Sequence, residues 1–161
     1  MKTNFYFLLC LMAIVSFFAI ACEDESDTTL PVINLIEPEE GDTLQIGTDV
    51  HFTMKLFDND MLKSYKVDIH NNFTPHTHAA SGESTETVPF AYNHTWDVAA
   101  KAKKGDTLSV HHHEIIIAGN ATPGAYHLVV YCTDVSGNES HVARNIVLSH
   151  EGGEHEEHAE D

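Results

Sequence analysis

Between Pro31 and Ser149, apolar and polar residues alternate in short stretches separated by turn-forming residues. An alternation of two residues places successive side chains on opposite faces of a strand, whereas a helix requires a period near 3.6. The pattern therefore predicts about seven β-strands, and no helical period of comparable length competes with them. The predicted strands cover residues 32–36, 50–57, 62–70, 90–96, 107–117, 125–133 and 141–148.

Three of these strands alternate regularly enough to predict which side chains face the core. Short strands joined by turns, each with one apolar face, are typical of a two-sheet all-β fold. We predict an antiparallel immunoglobulin-like β-sandwich over residues 31–149, a length that suffices for one hydrophobic core. The predicted core residues are Val50, Phe52, Met54 and Leu56; Tyr65, Val67 and Ile69; and Tyr126, Leu128, Val130 and Cys132.

The strand predicted at residues 107–117 changes its inward face part of the way along. Val110 is in phase with His112, whereas Ile115 is in phase with His111 and His113. A β-bulge near the three consecutive histidines would produce this change, since a bulge adds one residue to one strand of a pair. We expect His112 to pack in the core.

The N-terminal residues predict export and lipid attachment. Lys2 precedes an apolar run too short for a retained membrane span, so residues 1–21 are predicted to be a signal peptide. Ala19 to Cys22 resembles a bacterial lipobox, which makes Cys22 the lipidated residue. The acidic residues 22–30 form the predicted tether and resemble a surface-export signal. The chain is thus expected in the cell envelope, as an outer-membrane lipoprotein that faces either the surface or the periplasm; a plain secreted protein and a simple acidic linker remain alternatives.

The charge of the chain limits the classes of ligand that it is expected to bind, and its cysteine content limits disulfide formation. The formal net charge is −17, which disfavours nucleic acid and favours a cation. Cys10 belongs to the predicted signal peptide and Cys22 to the lipid anchor, so Cys132 is left without a partner for a disulfide. We expect Cys132 to be buried and unreactive.

Histidine is the main indication of function. The chain has 13 histidines against 8 lysines and arginines, and every histidine follows residue 50. In immunoglobulin-like pairing, His70 and His127 become cross-strand neighbours, and the loop after His70 leaves from the same end of the sandwich. Imidazole binds zinc, copper and nickel, with zinc the first candidate here. The predicted metal ligands are His70, His76, His78, His127, His111 and His113.

An alternative for these residues is a set of surface histidines with no common ligand. His51, His94 and His141 are expected to lie outside the metal site. The tail at residues 150–161, which contains three further histidines, is predicted to be disordered and to collect metal weakly, or simply to add solubility.

The opposite end of the predicted sandwich gathers oxygen donors. Asp58, Asp60 and Asp134 fall in loops that meet there, and carboxylates are the ligands that calcium prefers. Turn formation explains the same residues, because aspartate side chains accept hydrogen bonds from nearby backbone in turns. The acidic tether also starts from this end, so the lipid anchor and the histidines lie at opposite ends.

Several stretches carry a resemblance to a known family. They are GAYHLVVYCTDVSGN at 124–138, KVDIHNNF at 66–73, HTH at 76–78 and HHHEI at 111–115. The region from about residue 31 to residue 148 is similar to a lipoprotein family of Bacteroidota that has an immunoglobulin-like domain and no known function. The resemblance implies the fold and the location, but no activity and no ligand.

The resulting hypothesis is a non-enzymatic lipoprotein that binds a divalent transition metal, as an accessory to outer-membrane metal uptake. Its expected partners are the membrane, the metal ion and an outer-membrane transporter or surface protein. The alternative is a non-catalytic adhesion or assembly module that binds protein or glycan. A hydrolase is the weakest hypothesis, because Ser109 near His111 is not accompanied by a nucleophile-elbow motif.

Overall fold

The computed structural model describes residues 26–73 and 87–153, and this part of the chain is all-β. Within these two ranges, no helix has the length and apolar character needed to cross a membrane. The eight strands are β1 (Val32–Glu37), β2 (Thr43–Gln45), β3 (Phe52–Phe57), β4 (Leu62–Asn71), β5 (Tyr92–Asp97), β6 (Thr107–His112), β7 (Gly124–Asp134) and β8 (Glu139–Ser149).

The strands form two sheets in a sandwich-like arrangement. One sheet has the order β1-β3-β6, and the other has the order β2-β8-β7-β4-β5. Every pairing is antiparallel except that of β2 with β8. All seven predicted strands are present; β2 was not predicted, because its three residues are too few to show an alternating pattern.

The core lies between the two sheets and contains every residue predicted to face it. Phe52, Met54 and Leu56 of β3 are fully buried, as are Leu128, Val130 and Cys132 of β7. Burial of one such large apolar side chain contributes roughly 1.5–3 kcal/mol, so these inward faces hold the two sheets together.

The change of inward face near the three consecutive histidines coincides with a register shift of one residue. β6 pairs with β3 in one register up to His112, which is opposite Phe52. The next pair is Asp49 with Ile116, so the chain after β6 contains one extra residue and forms the predicted β-bulge. Beyond His112 the chain leaves the regular ladder, and Ile115 and Ile117 are buried in the other phase. Val50 donates a backbone hydrogen bond to the Ile115 carbonyl, which holds this irregular segment against the sheet.

The two ends of the sandwich differ in chemistry. We call one end of the sandwich the histidine pole; β3 and β7 start there, and β6 and β8 finish there. β3 and β7 end at the opposite end, next to Asp58 and Asp134, and we call this end the acidic pole. Val32 at the start of β1 pairs with Phe57 at the end of β3, so the chain enters the fold at the acidic pole.

Candidate functional site

Three exposed imidazoles meet at the histidine pole. Each of His51, His111 and His113 offers one ring nitrogen, and these three nitrogens lie within 4.8 Å of one another. The ring centroids are 4.8 Å apart for His51 and His111, 4.9 Å for His51 and His113, and 5.2 Å for His111 and His113. We refer to these three residues as the histidine cluster.

Strand pairing explains why the cluster forms. His111 is paired with Thr53 across the β3–β6 ladder. His51 lies two residues before Thr53, and His113 lies two residues after His111, so the antiparallel direction brings these two histidines side by side. Because Phe52 and His112 point inward, His51, His111 and His113 all point outward.

One nitrogen of each ring in the cluster has a polar partner. Nδ1 of His113 lies 2.6 Å from Oδ2 of Asp49, and Nδ1 of His111 lies 3.1 Å from Oγ1 of Thr53. Nε2 of His51 lies 3.3 Å from Oε2 of Glu37. A hydrogen bond at one imidazole nitrogen fixes the tautomer and the ring orientation, and leaves the other nitrogen able to bind a metal.

The hydrogen bond with His113 also acts on the carboxylate. It is the main cause that lowers the pKa of Asp49, and the charges of His113 and His51 add to it. The Asp49 carboxylate therefore stays ionised over a wider pH range. An ionised acceptor strengthens the hydrogen bond that Nδ1–H of His113 donates to Asp49.

A cleft of about 250 Å³ lies beside the cluster. His51, His113 and Asp49 line one side of it, and residues 151–153 line the other. The start of the C-terminal tail is therefore next to the histidine cluster. The carboxylate of Glu151 adds an oxygen donor to the same cleft, and the predicted tail histidines His155 and His158 lie outside the described residues.

His112 packs in the interior, as predicted. Its ring stacks on Phe52 at a centroid distance of 5.0 Å and lies 4.8 Å from the Trp96 ring. Burial lowers the pKa of His112, so that a neutral ring is favoured among these aromatic side chains. Nδ1 of His112 accepts a long backbone hydrogen bond of 3.4 Å from Glu114, which also accepts a hydrogen bond from the Trp96 indole.

The predicted pair of His70 and His127 is present on the other sheet. The two residues are directly opposite each other in the β4–β7 ladder, with ring centroids 5.5 Å apart. Asp68 lies 2.6 Å from Nδ1 of His70 and also accepts a hydrogen bond from Asn93. Burial opposes ionisation of Asp68, but these two hydrogen bonds outweigh it and lower its pKa.

The six predicted metal ligands do not form one group in the described residues. His111 and His113 belong to the β1-β3-β6 sheet, whereas His70 and His127 belong to the facing sheet, and packed sheets lie about 10 Å apart. His76 and His78 lie outside the described residues, so the prediction that they complete a site with His70 and His127 stays a prediction.

A second group of possible ligands lies at the acidic pole. Asp27, Asp58 and Asp134 each offer one carboxylate oxygen, and these oxygens lie within 4.8 Å of one another. We refer to these three residues as the acidic cluster. Burial, followed by the nearby charges of Asp134 and Asp27, raises the pKa of Asp58.

Asp60, which we predicted as a third calcium ligand, has a different partner. Its Oδ1 lies 3.0 Å from the ammonium of Lys104, and the acidic cluster contains Asp27 in its place. Lys104 in turn has a raised pKa because of this hydrogen bond and the charge of Asp60.

Two residues of these clusters were not predicted as ligands from the sequence. His51 could have been found from strand pairing, because its outward phase and the β3–β6 pairing place it beside His113. Asp27 gave no such signal, since it precedes the first strand in a run of acidic residues that predicts only a tether.

Comparison with known proteins gives a family but no function. Among curated proteins, no significant match was found. A family model described as "Domain of unknown function (DUF4625)" matches residues 20–149, a range that contains all eight strands, the histidine cluster, the pair of His70 and His127, and the acidic cluster. The chain therefore belongs to the DUF4625 family of domains of unknown function.

Proposed function

We propose that this protein is a membrane-anchored lipoprotein that binds a divalent transition metal through His51, His111 and His113. The observation that carries the proposal is the convergence of three imidazole nitrogens from rings that each have a polar partner at one nitrogen. Partners of this kind are typical of histidines that bind metals, because they orient the ring and raise its basicity.

The geometry requires a small movement for one ion to contact all three rings. Zinc–nitrogen bonds of about 2.0–2.1 Å in a tetrahedron place the nitrogens roughly 3.3–3.4 Å apart. The nitrogens of the cluster lie within 4.8 Å, and the side chains of His51 and His113 are 48% and 49% exposed. Exposed rings can rotate by this amount without disturbing the core.

Three histidines leave one position of a tetrahedron for water or another ligand. The cleft beside His51 and His113 gives access to that position, and Glu151 in the cleft lining offers an additional oxygen donor. An open position suits capture and transfer of an ion more than permanent structural binding. This fits an accessory to outer-membrane metal uptake whose tail passes ions to or from the cluster.

Zinc is the first candidate because it accepts three imidazoles with one open position. Copper(II) and nickel(II) also accept imidazole, and the affinity series places copper above zinc for most nitrogen sites. The paired residues His70 and His127, with Asp68 as orienting partner, are proposed as a second and weaker binding position that uses the loop histidines His76 and His78.

The immunoglobulin-like fold and the lipid anchor that we propose are consistent with the location of this site. The order β1-β3-β6 facing β2-β8-β7-β4-β5 supports an immunoglobulin-like arrangement, and so does Tyr126 near the start of β7, whose hydroxyl donates to the Thr122 carbonyl in the manner of a tyrosine corner. The lipobox-like sequence before Cys22 supports the anchor, and the family match begins at residue 20, so it includes this cysteine. An anchor at the acidic pole leaves the histidine pole facing away from the membrane.

Metal titration of the full-length chain tests the proposal. The reference protein carries H150A, H155A and H158A, so that the tail does not contribute ligands. We expect zinc to bind this protein with one tight site in competition with a chromophoric chelator. Adding H51A and H113A removes two of three ligands, and we expect zinc binding to weaken by at least about 100-fold, since loss of one orienting partner alone costs about 10–100-fold.

The matched control is H70A with H127A, which also removes two neighbouring histidines but on the other sheet. Retention of the tight site in this control, with its loss in the H51A and H113A variant, supports the proposal. Equal affinity in all variants would contradict it and favour the alternative function, an adhesion or assembly module that binds protein or glycan.

A further inference from the structure

The acidic cluster joins three separate parts of the chain. Asp27 lies in the segment before β1, Asp58 directly follows β3, and Asp134 ends β7. Their nearest carboxylate oxygens lie within 4.8 Å of one another. Three carboxylates so close together repel one another unless a positive charge or a proton lies among them.

Burial makes this arrangement more costly. Asp58 is 2% exposed and Asp134 is 0% exposed, although aspartate is almost never fully buried unless it is paired. In the described part of the chain, Oδ2 of Asp58 and Oδ2 of Asp27 are both buried and lack a hydrogen-bond partner. An ionised carboxylate oxygen in such a position is unfavourable without a compensating ligand.

Turn formation explains only part of these side chains. Both oxygens of Asp134 accept hydrogen bonds from Asn138, at 2.8 Å from its backbone nitrogen and 2.7 Å from its side chain. Oδ1 of Asp58 accepts from the backbone nitrogen of Asp60, which is an ordinary Asx turn. The Oδ2 atoms of Asp58 and Asp27 take no part in these turns.

The lysine of this end of the sandwich, Lys104, is engaged with another carboxylate. Lys104 pairs with Asp60 at 3.0 Å, and its side chain is 76% exposed. Its ammonium therefore does not fill the space between Asp27, Asp58 and Asp134. The cluster needs a different positive charge, of a kind that accepts oxygen ligands.

We infer that the acidic cluster binds one calcium ion through Asp27, Asp58 and Asp134, and that this ion fastens the segment before β1 to the domain. Calcium–oxygen bonds of about 2.3–2.6 Å allow two ligand oxygens to be separated by up to roughly 4.6–5.2 Å. For three ligands at equal spacing the limit is roughly 4.0–4.5 Å, so the three oxygens, within 4.8 Å of one another, reach calcium with a shift of no more than a few tenths of an ångström.

Smaller cations fit less well. Magnesium–oxygen bonds of about 2.0–2.1 Å limit the separation of two ligands to roughly 4.2 Å and demand a regular octahedron. Zinc prefers nitrogen and sulfur donors and about four ligands, which describes the histidine cluster and not this one. The two poles therefore select different ions.

Asn138 shows how the ion acts on the chain. Its side-chain nitrogen donates to the backbone carbonyl of Asp27 as well as to Asp134, so the β7–β8 hairpin already contacts the segment before β1. A calcium ion at the same place adds ionic bonds to this contact. Calcium thus fixes the direction in which the chain leaves the domain towards its N-terminus.

Thermal unfolding of the full-length chain in calcium, in magnesium and in a chelator tests this inference. For a site with a Kd of about 10⁻⁴–10⁻³ M, typical of extracellular calcium modules, we expect about 10 mM calcium to raise the Tm by about 5 °C or more. Magnesium should give a clearly smaller rise. D58N and D27N should each abolish most of the calcium effect.

D60N is the matched control, because Asp60 is in the same loop as Asp58 but pairs with Lys104; it should retain the calcium effect. D27N lies outside the strands, so it remains informative if D58N does not fold. Amide hydrogen exchange at Thr29, whose nitrogen donates to Oδ1 of Asp27, should slow in calcium.

The inference is overturned if calcium leaves the wild-type Tm unchanged, or if D27N and D60N respond to calcium equally. A D58N variant more stable than wild type in both calcium and chelator would show that a proton, and not an ion, relieves the cluster. Zinc titration of D27N should match that of wild type, which separates this site from the histidine cluster.

Discussion

Nδ1 of His113 lies 2.6 Å from Oδ2 of Asp49, a short contact between an imidazole and an exposed carboxylate from the segment before β3. In a neutral His113 ring the contact favours the tautomer with its proton on Nδ1, in which Nε2 can bind a metal. It also ties the irregular segment after β6 to the start of β3. Asp49 is therefore a positioning residue for the histidine cluster.

The first prediction concerns this carboxylate. D49N keeps the size of the side chain and removes the charge that holds the Nδ1 proton of His113. Zinc affinity should fall by about 10–100-fold, as for other orienting partners of metal-bound histidines. Isothermal titration or chelator competition measures the change.

D106N is the control for D49N, since Asp106 is an exposed aspartate in the loop before β6 and, among the described residues, its side chain accepts a hydrogen bond from the adjacent backbone nitrogen alone. Both variants lose one negative charge, so a general electrostatic effect would weaken zinc equally in the two. Such an equal effect would contradict the role assigned to Asp49.

The second prediction concerns pH and Glu40. Oε1 and Oε2 of Glu40 accept hydrogen bonds of 2.6 and 3.0 Å from the side chain and backbone of Asn145 in β8. These bonds, with the side-chain bond the larger, lower the pKa of Glu40 from its ordinary value of 4.5. A carboxylate with a lowered folded-state pKa stabilises the fold above its unfolded pKa, and this contribution is lost as the pH falls through the folded-state pKa.

The stability difference between wild type and E40Q should therefore be largest near about pH 6 and shrink towards about pH 3. Chemical unfolding at a series of pH values measures it. E39Q, next to Glu40 and exposed, should show a smaller dependence on pH. A difference that grows on acidification would have the wrong sign for this mechanism.

The third prediction concerns Tyr126, which is fully buried. Its hydroxyl donates to the Thr122 carbonyl at 2.8 Å and accepts from the Phe90 backbone nitrogen at 3.0 Å. Y126F leaves that buried N–H without its acceptor, so we expect a loss of about 1–3 kcal/mol in the free energy of unfolding. Denaturant unfolding monitored by Trp96 fluorescence provides the measurement.

Y131F is a matched control, because Tyr131 is on the outer face of β7 and its ring contacts the Lys66 ammonium at 3.9 Å, a contact that phenylalanine retains. Its loss of stability should be well below that of Y126F. Equal losses would mean that the buried hydroxyl contributes nothing specific.

The fourth prediction concerns Cys132, which is fully buried. Burial is the main cause that raises the pKa of its thiol to about 12, so the reactive thiolate is scarce at neutral pH. Iodoacetamide should modify Cys132 at least about 100-fold more slowly in the native protein than in denaturant. Peptide mass mapping distinguishes Cys132 from the other cysteines, and rapid native modification would show that β7 opens readily.

Most of the fold follows from the period of the apolar residues. Phe52, Met54 and Leu56 alternate without interruption, and burial of one face of a strand permits only one phase. β2 was missed because its three residues are held by the backbone of β8 and not by a pattern of their own. The change of phase after His112 was visible in the sequence, and the bulge predicted from it is confirmed by the one-residue register shift between the Phe52–His112 and Asp49–Ile116 pairs.

The candidate sites were harder to predict than the fold. Pairing of His70 with His127 followed from strand order alone and is confirmed. His111 and His113 face away from that pair, because neighbouring strands in sequence can belong to different sheets. His51 and Asp27 contribute through positions at which two segments distant in sequence meet, and a single sequence does not specify such contacts.

The parallel pairing of β2 with β8 has a mechanical consequence. The chain enters at the acidic pole and leaves at the histidine pole, and β2 and β8 both run towards the histidine pole. A force that pulls the two ends of the protein apart therefore shears these strands past each other and loads their hydrogen bonds together, instead of opening them one at a time. A protein held at one end by a membrane and at the other by a partner would resist stretching along this axis.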